Sequence, residues 1–144
     1  MKKRMLSICV LLIAFICTGF TAVPVEHDSD EETTIMKMTI GDTAVPVKWE
    51  ENETVTALKA LCPLKIDMSM YGGFEQVGPI GATLPRNDEQ TTTSSGDIVL
   101  YAGNQLVVFY GSNAWAYTRL GHIELSRQEM SALLSKGNVT ITLE

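Results

Sequence analysis

The side chains of this sequence that could do chemistry are concentrated in two short stretches. In Trp115-Ala116-Tyr117-Thr118-Arg119, aromatic faces can stack on a guanidinium whose planar fork can grip a carboxylate, a phosphate or a backbone carbonyl. The alternative is that Arg119 is neutralised inside the protein by Glu75 or Asp97. Trp115 and Tyr117 lie two residues apart, so on a strand they share a face, where they line a groove or fill the core. In Tyr71-Gly72-Gly73-Phe74-Glu75-Gln76, two glycines let the backbone turn sharply or pass close to a partner. If the stretches converge, they make one solvent-reachable recess with the Arg119 cation at its floor. Its ligand-binding set is then Tyr71, Phe74, Glu75, Gln76, Trp115, Tyr117 and Arg119.

Other chemistries leave no mark. There is no phosphate loop, metal-ligand spacing or nucleophile triad, so no catalytic residue, metal or cofactor is assigned. Cys62, just before Pro63, reads as a small buried apolar side chain, because a nucleophile would need a base and the only histidines are His27 and His122. His122 reads as a surface or packing residue. Gly96-Asp97 reads as a turn whose carboxylate takes local amides, and Arg86, Asn87 and Asp88 as an exposed loop.

Residues 1–22 predict export. Lys2, Lys3 and Arg4 form a positive head, and residues 6–15 an apolar core of signal-peptide length, short of the roughly 20 apolar residues a spanning helix needs. Cleavage falls between Gly19 and Ala22, or the segment stays as an anchor and the only contact with a membrane. Lipidation of Cys17 is the other option, against the bulky Phe15 and Ile16 beside it. Residues 23–33 hold Glu26, Asp28, Asp30, Glu31 and Glu32 without a base, the composition of a solvated, disordered spacer. Losing the three basic residues takes the net charge from −6 to −9, which argues against nucleic-acid binding. Cys9 and Cys17 leave with the segment, so a domain over residues 34–144 would rest on its apolar core alone, without a disulfide. Nothing in the sequence sets an oligomeric state.

The elements that must position these residues are mostly strands. Residues 35–40 alternate, and Gly41-Asp42 turns the chain into residues 43–49, with Pro46 marking an edge or a bulge. Val55, Leu58, Leu61 and Cys62 recur at helical spacing until Pro63. Residues 65–70 alternate again, and a loop-rich section runs over residues 71–95, long enough to be functional or to cover something. Residues 98–101 and 105–110 make a hairpin about Ala102-Gly103-Asn104, apolar enough to be covered on both faces. Ser126 with Glu129 makes a capping box, Met130, Leu133 and Leu134 an apolar stripe ending at Gly137 or Asn138, and Val139, Ile141 and Leu143 one face of a last strand.

Taken with Met70-Tyr71-Gly72-Gly73-Phe74, Ser95-Gly96-Asp97-Ile98-Val99-Leu100-Tyr101 and Tyr117-Thr118-Arg119-Leu120-Gly121, the pattern resembles the bacterial cyclophilin-like domain family. That resemblance implies a mainly β fold, a closed eight-stranded β barrel with two capping helices, over essentially all of residues 34–144. It does not carry the isomerase site. True cyclophilins have a Phe-His-Arg strand motif followed by Phe-Met-Gln-Gly-Gly-Asp, and this chain has neither. Three readings follow: a binding module for a peptide or small molecule, a weak peptidyl-prolyl isomerase using Arg119, or an accessory domain to a flavodoxin-like redox partner.

Overall fold

The computed structural model describes Gly19 and residues 34–144. Apart from that glycine, the residues expected to form an export segment and an acidic spacer lie outside the described residues. The rest of the chain is mainly β, with two helices.

The chain opens with β1 (Met38–Ile40), turns through Gly41 at a φ of 57°, and returns as β2 (Thr43–Val45). Pro46 has no N–H for a ladder, and the strand breaks there; β3 (Val47–Trp49) continues on a different sheet. Next comes α1 (Glu53–Ala60), whose N-cap Asn52 accepts the Val55 N–H at 2.8 Å. After it, β4 (Leu64–Asp67) and β5 (Ser69–Tyr71) flank Met68, and β6 (Glu75–Pro79) turns back on β5. The section expected to be loop-rich, residues 71–95, contains two unforeseen strands, β6 and β7 (Glu89–Thr92). Then come β8 (Asp97–Tyr101), β9 (Gln105–Phe109) and the long β10 (Ala114–Ile123). The last elements are α2 (Arg127–Leu134), opened by the expected Ser126/Glu129 capping box, and β11 (Thr140–Leu143).

The strands pair as two sheets, β2-β1-β11-β4 and β3-β10-β8-β9-β6-β5, with β7 added to β10. This departs from the expected closed eight-stranded barrel, because the hydrogen bonding does not run round in one ring. The reason is local. Each of the two stretches expected to be a single strand is interrupted, one at Pro46 and one at Met68, and the chain changes sheet at each break. At the second break the Met68 N–H goes to the Val139 carbonyl at 2.8 Å. Gly78 of β6 lies hard against this corner, where an added Cβ would come within 2.6 Å of both the Asp67 carbonyl oxygen and Met68 Sδ.

β8 and β9 are buried on both faces, as their apolar runs require. On one face Ile98, Leu100, Leu106 and Val108 join Met38, Ile40, Ile141 and Leu143 of the other sheet, with Leu58 of α1 and Met130 and Leu134 of α2. Each of these side chains buried fully stabilises the fold by roughly 1.5–3 kcal/mol. On the other face Val99, Val107, Phe109 and Tyr117 form a second cluster, with Phe74 and Val77 packed against it. The outer cover is therefore a set of aromatic rings.

Candidate functional site

The outer face of the larger sheet is laid out by register. Tyr71 pairs with Glu75 and Glu75 with Phe109, while Val77 pairs with Val107. Because side chains on paired residues share a face, Glu75 stands among Val77, Val107 and Phe109. β10 arrives from the other side, held by β7 through Tyr117 opposite Glu89 and by β8 from Thr118 onward. Between them is a recess of about 430 Å³. Val77, Val107 and the buried Tyr117 form its inner wall, and the exposed Tyr71, Tyr101 and Trp115 its rim. The Tyr117 ring is held by edge contacts to Phe109 at 5.7 Å and Tyr101 at 6.2 Å, and by Asn113 Nδ2, which donates to its hydroxyl at 2.9 Å.

Glu75 is the unusual member. It is 6% exposed, and its Oε2 is buried without a hydrogen-bond partner. Burial without a neighbouring cation disfavours the charged form and raises its pKa from 4.5 to about 7. Tyr117 is shifted up as well, by burial first, against the Asn113 hydrogen bond and with the Glu75 and Tyr101 charges adding to the rise. A carboxyl poised near neutrality in an apolar setting can donate a hydrogen bond to a carbonyl or, once ionised, hold a positive group.

The Cyclophilin-like family model matches residues 38–144. The chain belongs to the cyclophilin-like family. No curated protein matches it. Membership accounts for the mainly β architecture and leaves the site to be read from its own residues, since fold and function travel separately.

Of the seven residues singled out from the sequence, the cyclophilin-like domain brings Tyr71, Glu75, Trp115 and Tyr117 into the recess. Phe74 lies beneath it, edge-on to Tyr71 at 6.3 Å and packed on the second cluster. Gly72, at a φ of 61°, has no room for a Cβ because the Phe74 ring occupies that space. Gln76 points the opposite way. It is fully buried, and its Nε2 donates at 2.8 Å to the carbonyls of Leu134 and Gly137, closing the C-terminal end of α2.

Arg119 is not at the floor of the recess. It lines a neighbouring hollow of about 200 Å³ with Glu50, Asn52 and Glu89, and Tyr117 is the wall between the two. Its guanidinium lies 3.4 Å from Asp97 and 3.8 Å from Glu50, so of the two internal partners the sequence suggested, the structure has Asp97 and not Glu75. Asp97 also accepts the Ser94 N–H at 2.9 Å, as its turn requires, and sits 2.8 Å from His122 Nδ1. A bulge between Arg119 and Gly121 makes this possible. Residues three apart on a regular strand face opposite ways, and the extra residue, Leu120, brings Arg119 and His122 to the same carboxylate.

Sequence reasoning missed Tyr101 and Asn113 in the recess and the Asp97–His122 pair. Tyr101 could have been placed only by knowing that β8 lies beside β10. Cys62 is half-buried and packs against the main core, with burial raising its pKa. Among the described residues, no group of three or more His, Cys, Asp or Glu could hold a metal ion, and no helix is long and apolar enough to cross a membrane.

Proposed function

We propose that this chain is an exported cyclophilin-like binding module that holds a peptide segment or a small molecule in the Glu75 recess without covalent chemistry. The observation that carries this reading is the recess itself. Its volume is within the range of ligand sites, mostly apolar with a few convergent polar groups, and its rim exposes 65% of Tyr71 and 57% of Trp115. Large aromatic side chains left exposed around a hollow are the usual anchors of a partner. Further support for a barrel of cyclophilin type comes from counting β2 with β3, and β4 with β5, as single strands bent at Pro46 and Met68. With β7 left aside as an addition to β10, eight strands then follow one another in cyclic order. The isomerase reading has less support, because Arg119 is engaged by Asp97 and Glu50 outside the recess.

Amide chemical-shift mapping of the full chain against a library of peptides and small molecules tests the proposal. Shifts should gather at residues 71–77, 105–109 and 113–117. Ligands that shift only other surfaces, or a library with no binder, would overturn it. Export is tested by fractionating cells and sequencing the N-terminus of the recovered chain. Recovery from the cytoplasm at full length would remove that part of the reading.

A further inference from the structure

Resting on the reading of the recess as a ligand site, we propose that its ligand is an organic cation, a protonated amine or guanidinium, seated on the Glu75 carboxylate among the rings of Tyr71, Tyr101, Trp115 and Tyr117. Three independent features of the recess converge on this class.

The first is the carboxyl. A buried carboxylate is normally paired or hydrogen-bonded, yet Glu75 Oε2 has no partner, and no basic residue is among those lining the recess. The nearby guanidinium of Arg119 belongs to Asp97 and Glu50 on the far side of Tyr117. The second is the lining. Four aromatic side chains surround one carboxyl, and the negative face of an aromatic ring attracts a cation, indole most strongly. An aromatic lining gives the organic part of the ligand apolar surface at the same time. The third is what is missing for a metal ion. A bare divalent cation needs several hard oxygen or imidazole ligands, and the described residues provide no cluster of three. The net charge of −6 adds a long-range field of the same sign as Glu75.

Ionisation is coupled to this binding. With the Glu75 pKa at about 7, only the ionised fraction can receive a cation, so capture draws a proton off the carboxyl. Apparent affinity then rises by about tenfold between pH 6 and pH 8 and levels off above that. The other titratable groups facing Glu75 are Tyr71 on β5, Tyr101 on β8 and Tyr117 on β10; β9 contributes only Val107 and Phe109, and the loop before β10 only the neutral Asn113. Burial raises the Tyr117 pKa and so keeps its phenol neutral through that window, and the pH profile belongs to Glu75.

The test is a shift titration of the full chain with n-butylammonium chloride and with neutral n-butanol at pH 6 and pH 8, at matched ionic strength. Butylammonium should shift the recess amides, bind about tenfold tighter at the higher pH, and outcompete butanol. Glu75→Gln should reduce butylammonium to the affinity of butanol and abolish the pH dependence. Trp115→Ala, at an exposed rim position, should weaken butylammonium about two- to fivefold and leave the pH profile intact. Butanol binding as well as butylammonium, or affinity falling with pH, would overturn the cation proposal while leaving the recess as a ligand site. Neither probe shifting the recess would overturn both.

Discussion

Glu75→Gln should make the protein more stable at neutral pH, and the gain should vanish in acid. Below pH 4.5 the carboxyl is protonated in both folded and unfolded chains, and its ionisation costs nothing. Between pH 4.5 and about 7 the unfolded chain releases the proton while the folded chain keeps it, so stability falls as pH rises; above 7 both forms are ionised and the penalty is constant. The full separation of those two values corresponds to about 3 kcal/mol, and the open side of the recess screens part of it, leaving an expected penalty of about 2 kcal/mol. Glutamine keeps the shape without the charge. Whatever packing cost the amide brings is the same at every pH, so the quantity to measure is how the stability difference between variant and wild type changes from pH 4 to pH 8. Urea unfolding of both full chains supplies it. The difference should move by about 2 kcal/mol in favour of Glu75→Gln, a midpoint change on the order of 1 M. A difference that stays flat across the range would refute the argument that this carboxyl is buried without a partner.

Three further outcomes follow from the packing. Gln76→Ala strips the Leu134 and Gly137 carbonyls of their donor and opens a cavity under α2, which should cost about 2–4 kcal/mol in urea unfolding. Gly78→Ala puts a methyl group into the corner at Asp67 and Met68 and should destabilise by about 3 kcal/mol, with the largest loss of hydrogen-exchange protection in β4 and β6. Arg119→Ala should leave ligand titration of the Glu75 recess within about twofold, since Tyr117 stands between them; a measurable rate on a Xaa-Pro peptide abolished by this substitution would reinstate the isomerase reading.

Local physics was legible in the sequence wherever neighbouring residues decide the outcome. The β8–β9 hairpin, the turn at Gly41, the capping box of α2 and the buried alternation of Met36, Met38 and Ile40 all follow from patterns a few residues long. Continuity of a strand was not legible, because the breaks at Pro46 and Met68 depend on which sheet claims each half. The same limit applies to the site. Period 2 put Trp115 and Tyr117 on one face correctly, but Glu75 and Gln76 are consecutive and so face opposite ways, one into the recess and one under α2. Arg119 shares the face of Tyr117 and still sits in another hollow, since its carboxylate partners come from the first residue of β8 and the segment after β3.

The extra residue in β10 has a consequence for how this surface can vary. The bulge places two consecutive residues over the interior, Leu120 in the core and Gly121 opposite Ile98, while Arg119 before them and His122 after them keep the outer face. A single-codon deletion at Leu120 would remove that extra residue and straighten the strand: Arg119 and Gly121 would become neighbours opposite Val99 and Ile98, and the imidazole and Ile123 would keep their present faces. The loss would be confined to the hydrocarbon that Leu120 sends into the core.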